Sequence, residues 1–134
     1  MPLALLCLTT AIYYEAANEP LVGKIAVAEV IEHRIKDVRW PDTACKVTHQ
    51  LNQFSFYWDG KPEKIKHDEE WIESEVVAKL ALQDKLPKVI FDCTDHYHNI
   101  HVKPSWVTKM EMKMKIGHHF FYCSNPQDWR LSKN

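Results

Sequence analysis

The chain has 134 residues, a formal charge of −1, 46% hydrophobic and 26% charged residues, and three glycines. A chain of this size can bury roughly two thirds of its unfolded surface in one core, and the composition excludes disordered, collagenous and membrane-embedded classes. Near-neutrality gives no basis for a nucleic-acid partner, and no run approaches the roughly 20 apolar residues needed to span a bilayer.

The opening MPLALLCLTTA lacks a basic leader and runs straight into a polar motif, so it reads as a first core helix and not as a signal peptide. Leu5, Leu8, Ile12 and Ala16 recur at three- and four-residue steps, which predicts a helix buried on that stripe and ending near Asn18, before Pro20. A second helix is expected from about Gly23. It should turn Ile25, Ala26, Val27, Val30 and Ile31 inward and keep Glu32, Arg34 and Lys36 toward solvent. Trp40-Pro41-Asp42-Thr43 reads as a turn, Cys45 to Phe56 as a short helix followed by an extended piece, and Asp59-Gly60-Lys61-Pro62 as a loop. A third helix is predicted over residues 68–84, capped by Asp68, with Glu69 and Glu70 at its positive end and Ile72, Val76, Val77, Leu80 and Ala81 facing the core. Beyond Pro87, residues 89–91, 95–102 and 119–122 have the alternation and aromatic content of strands. Residues 108–116 alternate like a strand but consist of helix formers, and their state stays open. One α+β domain over residues 1–134 is the simplest account, with a small antiparallel sheet beside helices.

The four cysteines, Cys7, Cys45, Cys93 and Cys123, form no C-x-x-C pair and are expected to be buried free thiols. Glu15, in IYYEAANEP, borders the buried stripe of the first helix. Loss of hydration there would raise its pKa toward values useful to a general acid, and Tyr13 and Tyr14 beside it could stack on or bond to a sugar. Its plain alternative is a surface glutamate paired with a base. Glu19, beside Pro20, is expected to be a solvated helix-end residue. In DHYHNIHVKPSW, alternation would send His96, His98 and Ile100 to one face of a strand and Tyr97, Asn99 and His101 to the other. Two such histidines with His118 or His119 invite a zinc reading, but no H-E-x-x-H set accompanies them, and no metal is assigned. Gln53-Phe54-Ser55-Phe56-Tyr57-Trp58 combines amide, hydroxyl and aromatic groups of the kind that hold carbohydrate, or else core aromatics.

These blocks together resemble the SleB type of cell-wall hydrolase, a family of spore cortex-lytic enzymes that includes bacteriophage endolysins. IYYEAANEPLVGKIAVAEVIEHRI is similar to the family's opening block, WPDTACKVTHQ and QFSFYWDGKP to its middle, and DHYHNIHVKPSW and IGHHFFY to its closing blocks, over residues 3–122. The sequence departs from the pattern at Ala17 and Asn18, where the family commonly has Arg-Gly. The resemblance implies a lysozyme-like fold, with a helical body and small sheet edging a saccharide cleft, and Glu15 as the catalytic residue. Gln53, Ser55, Tyr97 and His98 are then expected to contact the sugar, with no cofactor. The implied activity is lytic transglycosylation of peptidoglycan between N-acetylmuramic acid and N-acetylglucosamine, leaving 1,6-anhydro ends. Without a signal peptide or wall-binding repeat, a monomeric phage endolysin is expected, made in the host cytoplasm and released to the wall; a fragment of a secreted enzyme is the alternative. A muramidase-type hydrolase, a zinc-dependent wall amidase or peptidase, and a non-catalytic glycan-binding module are the rival functions.

Overall fold

The computed structural model describes residues 1–52 and 68–124. Leu5, Leu8, Ile12 and Ala16 are all buried along α1 (Leu3–Ala16). Their stripe continues into other faces of the helix, because α2, α3 and α4 all pack around α1. The chain turns at Glu19, whose N–H donates to the Ala16 carbonyl at 3.0 Å, and re-enters helix as α2 (Leu21–Lys36) immediately after Pro20. The start lies just ahead of the expected Gly23, since a proline presets the backbone for a helix beginning beside it. α3 (Ala44–Asn52) follows a short turn.

The expected inward residues of α2 are buried and Lys36 is exposed as expected, but Arg34 is not on a wet face. Lys24, Glu29 and Arg34 are 0%, 3% and 8% exposed. Lys24 Nζ donates to the Glu19 carbonyl at 2.7 Å and reaches Glu70 and Glu73 of α4 (Glu69–Leu82) at 2.8 Å each, so one buried ammonium ties together both ends of the α1–α2 corner and the first turns of α4. Asp68 caps α4 as predicted, accepting from the Trp71 N–H at 2.7 Å. Val77 and Ala81 of α4 are buried as expected, together with Ser74 and Ala78, whereas Ile72 and Val76 are exposed. Small side chains allow α4 to lie close against α1, and that approach outweighs the burial of two larger ones.

Residues 89–91 do not form a strand. The N–H groups of Val89 and Ile90 donate instead to Glu29 Oε1, at 2.6 and 3.2 Å, so a buried carboxylate takes the donors that a sheet partner would have used. The sheet consists of β1 (Thr94–Asn99), β2 (Glu111–Ile116) and β3 (His119–Cys123), antiparallel in the order β1-β3-β2. The segment whose state stayed open is thus divided between β2 and a short 3-10 helix, Ser105–Lys109. β2 and β3 join through Gly117-His118. Gly117, at φ 58°, occupies the position where a tight hairpin needs a positive φ.

All four cysteines are paired, Cys7 with Cys45 and Cys93 with Cys123, so the expectation of free thiols is corrected. The first bond links α1 to α3, and the second links the segment before β1 to the end of β3.

Candidate active site

Glu15 stands in the last turn of α1, three residues after fully buried Ile12, so its carboxyl emerges where the helix core meets the sheet. The Tyr97 hydroxyl on β1 donates to Glu15 Oε1 at 2.5 Å. Burial raises the Glu15 pKa above the ordinary carboxylate value. The Tyr97 hydrogen bond and the charge of Arg34 oppose that rise without cancelling it. Arg34 itself is buried, with Nε donating to the Asp95 carbonyl at 2.8 Å and the guanidinium 5.0 Å from the Trp40 ring centre. A positive charge is therefore fixed close enough to influence Glu15 while its N–H group is bound to backbone. Sequence reasoning placed Arg34 in solvent, although it follows Val27 by seven residues and Ile31 by three, a spacing that keeps it on the buried face.

Tyr14, Glu15, Tyr97, His98, Asn99, Val102 and His119 line a pocket of about 370 Å³. The structure thus brings together four of the residues singled out in the sequence, Tyr14, Glu15, Tyr97 and His98. Asn99, Val102 and His119 complete the wall; the first two were missed as site residues, and His119 was considered only as a metal ligand. Their signal was position inside the two histidine-rich blocks. Gln53 and Ser55, the other two expected contacts, lie outside the described residues. Tyr13 turns away from the pocket: its hydroxyl donates to Asp68 Oδ2 at 2.9 Å and its ring packs on Trp71 at 5.6 Å. Burial and the neighbouring Asp68 carboxylate push its pKa up to about 12.

Glu19 is not a solvated helix end. It is 8% exposed, and Oε1 accepts from the His118 N–H at 2.6 Å while Oε2 meets His118 Nδ1 at 2.8 Å. Burial alone would raise its pKa; the backbone and ring N–H groups of His118, with the nearby His119, hold it below the usual value. A Cβ on Gly117 would collide with Glu19 Oε1, so the carboxylate occupies the space that glycine leaves. The β2–β3 turn is thereby clamped to the α1–α2 corner. His119 next to it is buried, which lowers its pKa, and its ring meets Tyr97 edge-on at 5.1 Å. The ring that packs against the Glu15 donor is accordingly neutral at neutral pH.

The alternation of β1 separates its residues largely as expected. Tyr97 packs toward Phe121 and His119, and His96 and His98 pack on Trp106 at 5.0 and 5.7 Å. Both ring nitrogens of His98 are engaged, one with the Asn99 carbonyl and one with the Tyr122 hydroxyl, at 2.8 Å each. His96 Nδ1 lies 2.9 Å from Asp95 Oδ1. Among the described residues, no three His, Cys, Asp or Glu side chains are placed to share a metal ion. Among the described residues the site is organised around one carboxyl, a phenol and aromatic walls.

Residues 18–122 match the family described as Cell Wall Hydrolase. The chain belongs to the cell wall hydrolase family. It is 29% identical over 118 residues to a spore cortex-lytic enzyme of Oceanobacillus iheyensis and 28% identical over 118 residues to that of Bacillus cereus, covering 85% of this chain in each case. The chain spans about two fifths of those relatives, 39% and 42% of their lengths. Its fold is similar to the catalytic domain of the germination-specific lytic transglycosylase SleB from Bacillus anthracis. That likeness has a TM-score of 0.69 and 24% identity, and covers 90% of this chain and 93% of that one. The catalytic domain of the Bacillus cereus SleB protein is similar at a TM-score of 0.66 and 24% identity, covering 90% of this chain and 89% of that one. The cell wall hydrolase fold is therefore the lysozyme-like α+β arrangement expected from the sequence. The family match begins three residues beyond Glu15, so the case for that residue stands on its geometry.

Proposed function

We propose that this cell wall hydrolase cuts the glycan strand of peptidoglycan between N-acetylmuramic acid and N-acetylglucosamine, as a lytic transglycosylase with Glu15 as its acid. The observation that carries the reading is a part-buried carboxyl of raised pKa, held by Tyr97 in a pocket whose described lining contains no second carboxylate. Protonated Glu15 gives its proton to the glycosidic oxygen as the C1–O bond breaks through an oxocarbenium-like transition state. The muramoyl C6 hydroxyl then attacks C1, and the Glu15 carboxylate recovers a proton from it. One carboxyl serves both steps, so the arrangement needs no paired carboxylate of the kind that positions water in an inverting glycosidase. Tyr97 orients the acid, His98 offers the face of its ring to the sugar, and Asn99 its side-chain amide. Gln53 and Ser55 are proposed as further contacts.

The names of the related spore cortex-lytic enzymes and of the SleB transglycosylase domain support this chemistry. For the biological role we infer lysis of a bacterial host by a phage enzyme that acts as a monomer, made in the host cytoplasm and released to the wall. The two disulfides support the wall-side half of that route, because such bonds persist outside reducing compartments. Solubilisation of purified peptidoglycan should fall about 10²- to 10⁴-fold in Glu15→Gln, the usual worth of a positioned acid. Undiminished solubilisation by that variant would remove Glu15 from the mechanism.

A further inference from the structure

The walls of the pocket continue past Glu15. His98 and Val102 also border a second groove of about 440 Å³, lined further by Ile100, Val107, Met112, Phe120 and Tyr122, with Lys103 beside them. The imidazole and phenol in this groove are bound to each other, through His98 Nε2 and the Tyr122 hydroxyl, and the other His98 nitrogen is bound to the Asn99 carbonyl. What remains is aliphatic and aromatic surface. A sugar ring entering it would lose hydration from its hydroxyls with few side-chain partners to replace the water, a poor exchange. The charge around the groove is positive: Lys103 is exposed on its lining, and Lys115 Nζ stands 6.0 Å from the Phe120 ring centre. Neither lysine forms an ion pair among the described residues. The occupant that suits such a surface bears methyl groups and carboxylates and is joined to whatever sits at Glu15.

We propose that this groove receives the peptide stem of the substrate, the short acidic, alanine-bearing peptide that is amide-linked to the lactyl group of muramic acid. The assignment rests on the peptidoglycan reading above and deepens it. Methyl groups of the stem pack on Val102, Val107 and Met112, and its carboxylates approach Lys103 and Lys115. The shared walls His98 and Val102 provide the continuity, since a muramoyl residue in the pocket places its lactyl substituent beside the sugar ring that is being cut. The enzyme is thereby selective for glycan that still carries peptide.

The test uses Glu15→Gln, which binds without cutting, and two purified ligands: a muramoyl-containing disaccharide with its tripeptide, and the same disaccharide after an amidase has removed the peptide. Calorimetry should show the stem-bearing ligand binding about tenfold more tightly, from a few buried methyl groups and two screened charge contacts. Adding Lys103→Glu and Lys115→Glu, both on the surface, should erase the difference and leave the affinity for the bare disaccharide as it was. Equal affinities for the two ligands in Glu15→Gln would overturn the stem groove while leaving the glycan reading intact. So would an equal loss for both ligands on charge reversal. Failure of both ligands to bind would overturn the stem groove and the glycan reading together.

Discussion

Tyr97 sets the working range of Glu15 because its hydroxyl bond favours the ionised carboxylate, against a burial that favours the acid. Without it the Glu15 pKa should rise further. In Tyr97→Phe the alkaline limb of the kcat/KM profile should therefore move to higher pH, with a loss of about tenfold at the optimum, the worth of one hydrogen bond to a charged group. An unshifted profile would show that Tyr97 does not touch the reacting carboxyl. Asp95 works in the opposite sense. Burial would raise its pKa, but His96, Ser124 and Arg39 hold it below the usual value, with Arg39 Nη2 at 2.9 Å and the Ser124 hydroxyl at 2.5 Å. A carboxyl whose folded pKa is depressed contributes stability above its unfolded pKa, and that stability is lost as the pH falls through the folded value. Unfolding on acidification should accordingly steepen below about pH 4, and Asp95→Asn should flatten the fall while lowering stability at neutral pH. The partial burial of Glu15 and the rise in its pKa that follows were legible in the sequence because it stands one turn from Ile12, whereas the Tyr97 bond and the Arg34 charge that oppose the rise were not. Glu19, Lys24 and Arg34 were not, because the groups that accept them into the interior, at His118, Glu70 and Asp95, lie far along the chain.

The elements show the same division. α1 and the capped start of α4 follow from periodicity and a short-range hydrogen bond, and both are as predicted. The inward face of α4 and the absence of a strand at residues 89–91 depend on partners, close approach to α1 in one case and the Glu29 carboxylate in the other. Gly117 carries the heaviest element-level constraint, since the β2–β3 turn is both left-handed there and pressed on Glu19. Gly117→Ala should cost about 2 kcal/mol in denaturant unfolding, from backbone strain and the displaced carboxylate. Because His119 follows that turn into the pocket and packs on Tyr97, the same variant should lose turnover more than Glu19-remote changes of equal stability cost. A variant as stable as wild type would show that the clamp is loose.

Over the whole molecule, two covalent links lie away from the pocket and brace the two halves of the site, one in the helices and one at the sheet. Their sequence separations of 38 and 30 residues carry no signature of pairing, so composition alone left the thiols free. Replacing either pair with serine should lower stability by about 2–4 kcal/mol while sparing kcat at low temperature, measured by denaturant midpoint and by turnover at 15 °C or so. Undiminished stability would mean that the bonds are incidental to the fold. The α+β class was readable from pattern, and the lysozyme-like arrangement from the resemblance of ordered blocks.

In the proposed mechanism one carboxyl, Glu15, both breaks the glycosidic bond and assists ring closure. Mass spectrometry of the soluble products from purified peptidoglycan, for the wild type and for Glu15→Gln, tests it most directly. The wild type should release 1,6-anhydromuramyl ends and the variant none; reducing ends in their place, or anhydro products that persist in Glu15→Gln, would rule the mechanism out.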